Sequence, residues 1–319
     1  MNLEKPSLIF MGTASFGIPA LETINENYKL KAIVTNYDKP SGRGLKIKYS
    51  AIKNYAIKKN ISYYQPINLK SLDFTEEIKK LKPDFIIVVA FRMIPKIIWE
   101  IPKYGTINLH ASLLPNYRGS APINWAIINN EKITGVTSFY IDENIDTGDM
   151  LLQKKIEIDE KINAGELHDK LQYLAADVIQ KTIDGILENK IKPIKQKDIS
   201  DLKTAYKFDK KNTLINWDKN AIDIYNYIRG LNPFPGAKTF LCIVGEIIKE
   251  KNITIYDSDY LIQPNNDNNG SITTTNDSLK IACKDGYIVV KEVKIEGKKK
   301  MKIKDLLNGF KIPKNSYVK

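Results

Sequence analysis

The sequence predicts an α/β layered domain with a largely parallel sheet, followed by a smaller all-β domain. Three observations predict it. Strand-like and helix-like stretches alternate up to about residue 189, the pattern of a parallel sheet with crossover helices. Beyond that point short β-like runs separated by turn residues dominate, as in a small barrel or sandwich. The chain has 319 residues, and at roughly 100–200 residues per domain that suits two domains.

The elements follow in order. Ser7–Gly12 (SLIFMG) is a short apolar strand. FGIPALETI continues as a helix, with Pro19 tolerated in the first turn, where its missing N–H has no intrahelical partner to lose. Leu30–Thr35 is the next strand. TEEIKKL and then DFIIVVAF read as a helix and a buried strand, because the run Ile86–Phe91 is apolar without alternation. Gly105–Ser112 is a strand, Ala121–Ile128 a helix with an apolar face, and Gly135–Ile141 and Met150–Ile158 are two more strands. AGELHDKLQYLAADVIQKTIDGI has helical periodicity, with Asn163 as N-cap and Glu166 three residues on as its reciprocal partner. After Asn189, IKPIKQKDISDLKTAYK is polar and reads as a linker. A short strand at INWD and a helix from about Asn220 to Arg229 end in the Pro/Gly turn NPFPG. LCIVG, the stretch around Ile247–Asp257, SITTT, LKIACKD and YIVVKEVKI are strand-like, and Gln263–Gly270 is a long hydrophilic loop. There is no internal repeat.

Composition excludes several classes. Cys242 and Cys283 are the only cysteines, too few for a disulfide framework or a zinc site, so a reducing compartment is expected. Met1–Ser7 is polar and the apolar stretch after it is too short for a secretory leader. No run reaches the roughly 18 apolar residues of a membrane span. With 43% hydrophobic residues the chain is not disordered. The net charge is +12, and of 49 Lys and Arg residues only Arg43, Arg92, Arg118 and Arg229 are arginine. Abundant Ile, Asn and Lys indicate an A/T-rich coding bias, so the lysine excess is partly drift. Its distribution says more. Residues 1–190 carry +3 and residues 191–319 carry +9, with the densest piece at Lys294–Lys304. Such a segment fits a polyanionic partner or a solvated lysine surface.

Five segments stand out for chemistry. Met11–Gly17 (MGTASFG) follows a strand and opens a helix, but its glycines lack the G-x-G-x-x-G spacing of a dinucleotide site. In NLHASLLPNYRGSAP (Asn108–Pro122), Asn108 and His110 share one face of a strand. An amide there can donate to a developing oxyanion, and an imidazole can exchange a proton near neutral pH. The other histidine, His168, lies in an amphipathic helix and reads as structural. DENIDTGDM (Asp142–Met150) crowds Asp142, Glu143, Asp146 and Asp149 after an apolar strand; one carboxylate could orient His110, and the spacing of a calcium loop is absent. Thr35–Lys53 is a long basic loop with Pro40, Gly42 and Gly44 as breakers, suited to a mobile phosphate grip or an ordinary surface loop. Ile215–Thr239 reads as packing or inter-domain structure around Trp217, Ile228 and Phe234. Arg43, Arg118 and Arg229 fall in these segments, and a retained arginine in a lysine-biased chain hints at a planar, bidentate duty.

FMGTASFGIPAL, TNYDKPSGRG, INLHASLLPNYRGSAPINWAI, NIDTGDML, AGELHDKL and INWDKNAIDIYNYIRGLNPFPGA together resemble the methionyl-tRNA formyltransferase family over nearly the whole chain. The strand and loop NLHASLLPNYRG with the later Asp146 mark the 10-formyltetrahydrofolate-using formyltransferases, and the basic loop with Arg229–Ala237 marks the initiator-tRNA branch. One departure is at Phe91 and Arg92, where much of the family has a tyrosine-glycine pair beside the folate pocket. The resemblance implies a Rossmann-like catalytic domain over 1–189, a linker over 190–207 and an OB-like tRNA-binding barrel over 208–319. It implies a formyl transfer from 10-formyltetrahydrofolate to the methionine amino group of initiator Met-tRNA, by a cytoplasmic monomer that needs no metal or membrane. Carried over, Asn108 stabilises the oxyanion, His110 polarises the carbonyl and relays a proton, and Asp146 holds His110. Ser112, Leu113, Leu114, Pro115, Phe91, Arg92 and Met93 border the folate, and Gly42, Arg43, Lys46 and Lys48 engage tRNA. The rivals are a folate-dependent formyltransferase of a nucleotide-sugar amine or a purine precursor, and an RNA-binding protein on a degenerate formyltransferase fold. The +9 of the second part and the presence of Asn108, His110 and Asp146 together count against both.

Overall fold

A computed structural model describes residues 5–41, 46–197 and 200–319. The chain forms two compact units. The first contains residues up to 122, 133–156 and 168–205; the second contains 123–132, 157–167 and 206–319.

The first unit is built on a mostly parallel sheet. Its strands are β1 (Ser7–Gly12), β2 (Lys29–Val34), β5 (Tyr63–Tyr64), β6 (Phe85–Val89), β7 (Thr106–His110), β9 (Ile133–Tyr140) and β10 (Met150–Glu157). Two short strands, β3 (Lys39–Ser41) and β4 (Lys46–Lys48), form a separate hairpin, and β8 (Arg118–Gly119) pairs with β11 (Thr204–Ala205) outside the main sheet. The order is β10-β9-β7-β6-β1-β2-β5. β2, β6 and β5 join in parallel register, as does β7, whereas β9 runs antiparallel to β7. The apolar run in β6 is buried at every residue because both sheet faces are covered. Ile9 and Met11 of β1 and Ile86 and Val88 of β6 point to one face, where they pack with Phe74 and Ile78.

Helices connect the strands. α1 (Ile18–Asn27) carries Pro19 at its start, as the sequence predicts. α2 (Ala51–Lys58) was not evident in the sequence; the Ser50 hydroxyl caps it by accepting from Lys53 N. α3 (Leu72–Leu81) and the short α4 (Lys96–Trp99) flank β6 in sequence. α5 (Pro122–Ile128) follows the loop after β7, and the long α6 (Ala164–Leu187) follows β10. The predicted reciprocal cap of α6 is present: Glu166 N donates to Asn163 Oδ1 and Asn163 N to Glu166 Oε2, both at 3.0 Å.

The second unit is an antiparallel, nearly closed barrel with the helices α7 (Ala221–Leu231) and α8 (Ile303–Gly309) against it. α7 (Ala221–Leu231) precedes β12 (Ala237–Ile243), β13 (Lys249–Ile262), β14 (Ile272–Thr274), β15 (Leu279–Cys283) and β16 (Gly286–Ile295). The short β17 (Met301–Lys302), α8 (Ile303–Gly309) and β18 (Tyr317–Val318) complete it. The order is β14-β15-β16-β13-β12-β18, and the bridge Ser271–Tyr317 brings the two ends of the path together. Ile224, Ile228 and Leu231 of α7 pack into the barrel core with Leu241, Ile255, Ile288 and Val293. The buried Trp217 indole donates to Thr239 Oγ1 at 3.0 Å.

Candidate active site

Strand β7 ends at His110, at the C-terminal edge of the parallel strands, where open α/β sheets bind ligands. The chain then turns back on itself. Ser112 Oγ donates to Asn116 O at 2.7 Å, and Asn116 N donates to Leu113 O at 3.2 Å. Tyr117 sits in the left-handed region (φ 62°), and this points its carbonyl at the imidazole. His110 Nε2 donates to Tyr117 O at 2.7 Å. A carbonyl can only accept, so Nε2 carries a proton and Nδ1 is the atom left to exchange one.

Nδ1 faces Asp146 Oδ2 at 3.6 Å, an ion-pair distance too long for a hydrogen bond. The same Oδ2 accepts from Gly119 N at 2.9 Å. One three-residue stretch therefore serves both groups: its first carbonyl holds the imidazole and its last amide holds the carboxylate. Gly119 is required there, because its φ is 119° and a Cβ would lie 2.5 Å from Ala205 O.

Asn108 precedes His110 by two residues and shares its face of β7. It is half-buried, and among the described residues its amide has no hydrogen-bond partner, so both of its N–H groups are available to an incoming oxygen. Asn108, His110 and Asp146 thus place an amide, an imidazole and a carboxylate together at this edge of the sheet.

Ser112 and Leu114 are buried, and their main-chain groups are engaged within the protein. Thr137 Oγ1 donates to Ser112 O at 2.7 Å and accepts from Leu114 N at 3.2 Å. Gln153 Nε2 donates to Leu114 O at 3.1 Å. Leu113 and Pro115 are half-buried beside them. Phe91, Arg92 and Met93 leave the end of β6, the strand next to β7. Phe91 packs against the core on one face of the sheet, whereas Met93 is 70% exposed. Arg92 spends its guanidinium on the carbonyls of Pro66 and Ile67, and its Nε is buried without a partner. Another buried polar atom without a partner, Thr13 Oγ1, lies just past the end of β1, the strand on the other side of β6. Gly42 and Arg43 lie outside the described residues; Lys46 opens β4, and Lys48 ends it with an exposed side chain.

The three described arginines, Arg92, Arg118 and Arg229, have protein partners. Arg118 is bidentate to Gln196 Oε1, through Nε at 3.1 Å and Nη2 at 2.7 Å. Arg229 is buried and donates to Asn226 Oδ1 at 2.8 Å and Ile162 O at 2.7 Å; burial holds its pKa below the usual range. The planar duties are met, but inside the fold. His168 stacks edge-on against Phe16 and contacts Asp169, in keeping with a structural role.

Residues 194–197 and 200–205 fall within the expected linker over 190–207. Ile194, Gln196, Lys203 and Ala205 are instead hydrogen-bonded into the first unit. Ile194 exchanges main-chain bonds with Met150 at 2.8 and 2.9 Å, Tyr117 N donates to Lys203 O, and Ser120 N donates to Ala205 O at 2.8 Å. Gln196 Nε2 reaches the carbonyls of Asp146 and Gly148. The one available signal was a lone glutamine in a lysine-rich stretch. Among the described residues no group of three or more His, Cys, Asp and Glu could hold a metal ion, and no helix is long and apolar enough to cross a membrane.

A donor amide, an imidazole and a carboxylate at the edge of a mostly parallel sheet are the kinds of group that an acyl-type group-transfer site uses. Comparison with known proteins sharpens the class. The formyl transferase family matches residues 7–183, and the formyl transferase C-terminal domain matches residues 207–311. A methionyl-tRNA formyltransferase of Flavobacterium psychrophilum is 48% identical over 95% of this chain and 96% of its own length. One from Clostridium novyi is 43% identical over 98% of this chain and 99% of its own. Among solved structures, an N-formyltransferase from Helicobacter canadensis, in complex with folinic acid and dTDP-3-aminofucose, aligns with a TM-score of 0.63. It is 24% identical and covers 90% of this chain and 98% of its own, a likeness of fold. The chain belongs to the methionyl-tRNA formyltransferase family.

Proposed function

We propose that this enzyme transfers the formyl group of 10-formyltetrahydrofolate to the α-amino group of methionine on initiator Met-tRNA, giving formyl-Met-tRNA for translation initiation in the cytoplasm. The observation that carries the reading is the cluster of Asn108, His110 and Asp146 at one strand end, in a chain that matches methionyl-tRNA formyltransferases along nearly its full length.

The amine attacks the formyl carbon, and the C–N bond to the folate nitrogen breaks after a tetrahedral intermediate has formed. The amine loses one proton and the leaving folate nitrogen gains one. The Asn108 amide donates to the oxyanion as its charge develops. His110 relays the proton through Nδ1, because Nε2 is committed to Tyr117 O. Asp146 favours the imidazolium that forms when Nδ1 takes the proton. The formyl donor is a substrate already activated at its nitrogen, so holding two reactants in line supplies much of the rate. Ser112–Pro115 and Phe91–Met93 border the folate, and Gly42, Arg43, Lys46 and Lys48 engage the tRNA, helped by the +9 of residues 191–319.

Incubating the protein with 10-formyltetrahydrofolate and charged initiator tRNA should yield formyl-methionine after deacylation. Absence of product with both substrates active would overturn the reading. Formylation of a nucleotide-sugar amine in preference to Met-tRNA would replace the acceptor and leave the chemistry standing.

A further inference from the structure

We propose that Gln196 is a positioning residue for this reaction. Its side-chain amide fixes the main chain around Asp146, and through it the carboxylate facing His110. The proposal rests on the formyl-transfer reading above.

The amide has two donor hydrogens and one acceptor oxygen, and all are used. Oε1 takes both the Nε and Nη2 hydrogens of Arg118. Nε2 donates to Asp146 O at 2.9 Å and to Gly148 O at 2.8 Å. Arg118 lies between Tyr117 and Gly119, whose main chain holds His110 and Asp146. One planar group therefore ties together the two loops that carry the site. Its grip falls where the backbone needs it. Asp146 has φ 57°, a left-handed conformation that a residue with a side chain keeps only when its surroundings hold it. Two residues on, a Cβ at Gly148 would lie 1.7 Å from Tyr140 O, so the strand-to-loop approach leaves no slack. Gln196 is itself anchored. The main-chain pair between Ile194 and Met150 holds it on one side, and the short pairing of β11 with β8 on the other.

The chemistry of the amide is specific. A glutamate at 196 keeps an acceptor for Arg118 but directs a carboxylate at two carbonyl oxygens. A methionine keeps the length and loses every hydrogen bond. In both, the carbonyls of 146 and 148 lose their donor and the Asp146 carboxylate loses its fixed distance to Nδ1. Misplacement of about 1 Å at a reacting group costs on the order of 10²-fold in rate.

The test compares wild type with Gln196→Ala, Gln196→Glu and Gln196→Met in the full chain. Two readouts are taken: steady-state kinetics with Met-tRNA and 10-formyltetrahydrofolate, and imidazole ¹⁵N NMR. The chain has two histidines, so His168 serves as an internal reference. The expected result is a fall of kcat by about 10- to 100-fold with both KM values within about twofold of wild type. The His110 ring signals should move while those of His168 stay in place. The proposal is overturned if kcat per folded molecule stays within about twofold of wild type, if the loss falls in KM alone, or if the His110 signals do not move. Gln196→Met carries the same measurements should Gln196→Ala fold poorly. If wild type forms no formyl-methionine, the reaction reading fails, and the NMR comparison still decides whether Gln196 positions Asp146 against His110.

Discussion

The His110 imidazole is held by the carbonyl of Tyr117, 2.7 Å from Nε2, and not by the carboxylate of Asp146, which stands 3.6 Å from Nδ1. The two nitrogens have separate tasks. One orients the ring; the other faces the charge and is free to exchange a proton.

His110→Ala removes the imidazole to which proton exchange is assigned in the proposed reaction and leaves the rest of the loop bonded to itself. The expected outcome is a kcat loss of about 10²- to 10⁴-fold with tRNA affinity nearly unchanged. Steady-state kinetics together with a filter-binding titration check it. Loss of tRNA binding with unchanged turnover of what still binds would assign His110 a different role.

Asn108→Ala should cost about 10²- to 10³-fold in kcat, the usual loss on removing one oxyanion donor. Because the Asn108 amide has no partner among the described residues, the melting temperature should change little. A large stability loss with unaltered kcat would make Asn108 a structural residue.

Gly119→Ala places a Cβ 2.5 Å from Ala205 O in a left-handed backbone. The expected cost is about 1–3 kcal/mol of stability, read by urea denaturation. Turnover should fall as well, because the displaced amide is the one that holds Asp146.

Tyr227 lies on α7 with its hydroxyl donating to Asn212 O at 2.8 Å, and burial pushes its pKa up to about 12. Its unfolded value is about 10. The folded chain thus keeps the proton between roughly pH 10 and 12 while the unfolded chain releases it, so this residue's contribution to stability is complete below pH 10 and is lost as pH rises through that window. Tyr227→Phe should be less stable than wild type at pH 8, yet lose less between pH 10 and pH 12. Thermal melts at the two ends of the window test it. Parallel decline in the two proteins would argue that Tyr227 ionises normally.

Binding of tRNA should weaken as salt is raised, in proportion to the phosphates neutralised, and Arg43→Ala should weaken tRNA use while folate use persists. A flat salt titration would remove the electrostatic role given to the basic loop and to residues 191–319.

The parts of the fold that were legible in the sequence have one-dimensional signatures. The unbroken apolar run of β6, the alternation that puts Asn108 and His110 on one face, and the Asn163–Glu166 cap all follow from spacing. The barrel was legible as short β runs, but α8 was not: most of it lies beyond the lysine-dense piece 294–304, in a stretch with no element assigned. Parts of the site were illegible for a physical reason. The contacts from Tyr117 O, Gly119 N, Lys203 O and Ala205 O are main-chain contacts, available to almost any residue, and composition does not announce them. The acceptors of Arg92, Arg118 and Arg229, namely Gln196, Asn226 and the carbonyls of Pro66, Ile67 and Ile162, emerge only once distant segments meet.

The same main-chain contacts bear on how this site can be dissected. An alanine scan of residues 116–118 trims side chains, but the carbonyl at 117 and the amide at 119 survive every trimmed variant. Such a scan would report side-chain contacts such as that of Arg118 with Gln196 and leave the main-chain ones untested. Amide-to-ester replacement is the tool that reaches them: an ester weakens the acceptor at 117 or deletes the donor at 119 while leaving the side chains untouched.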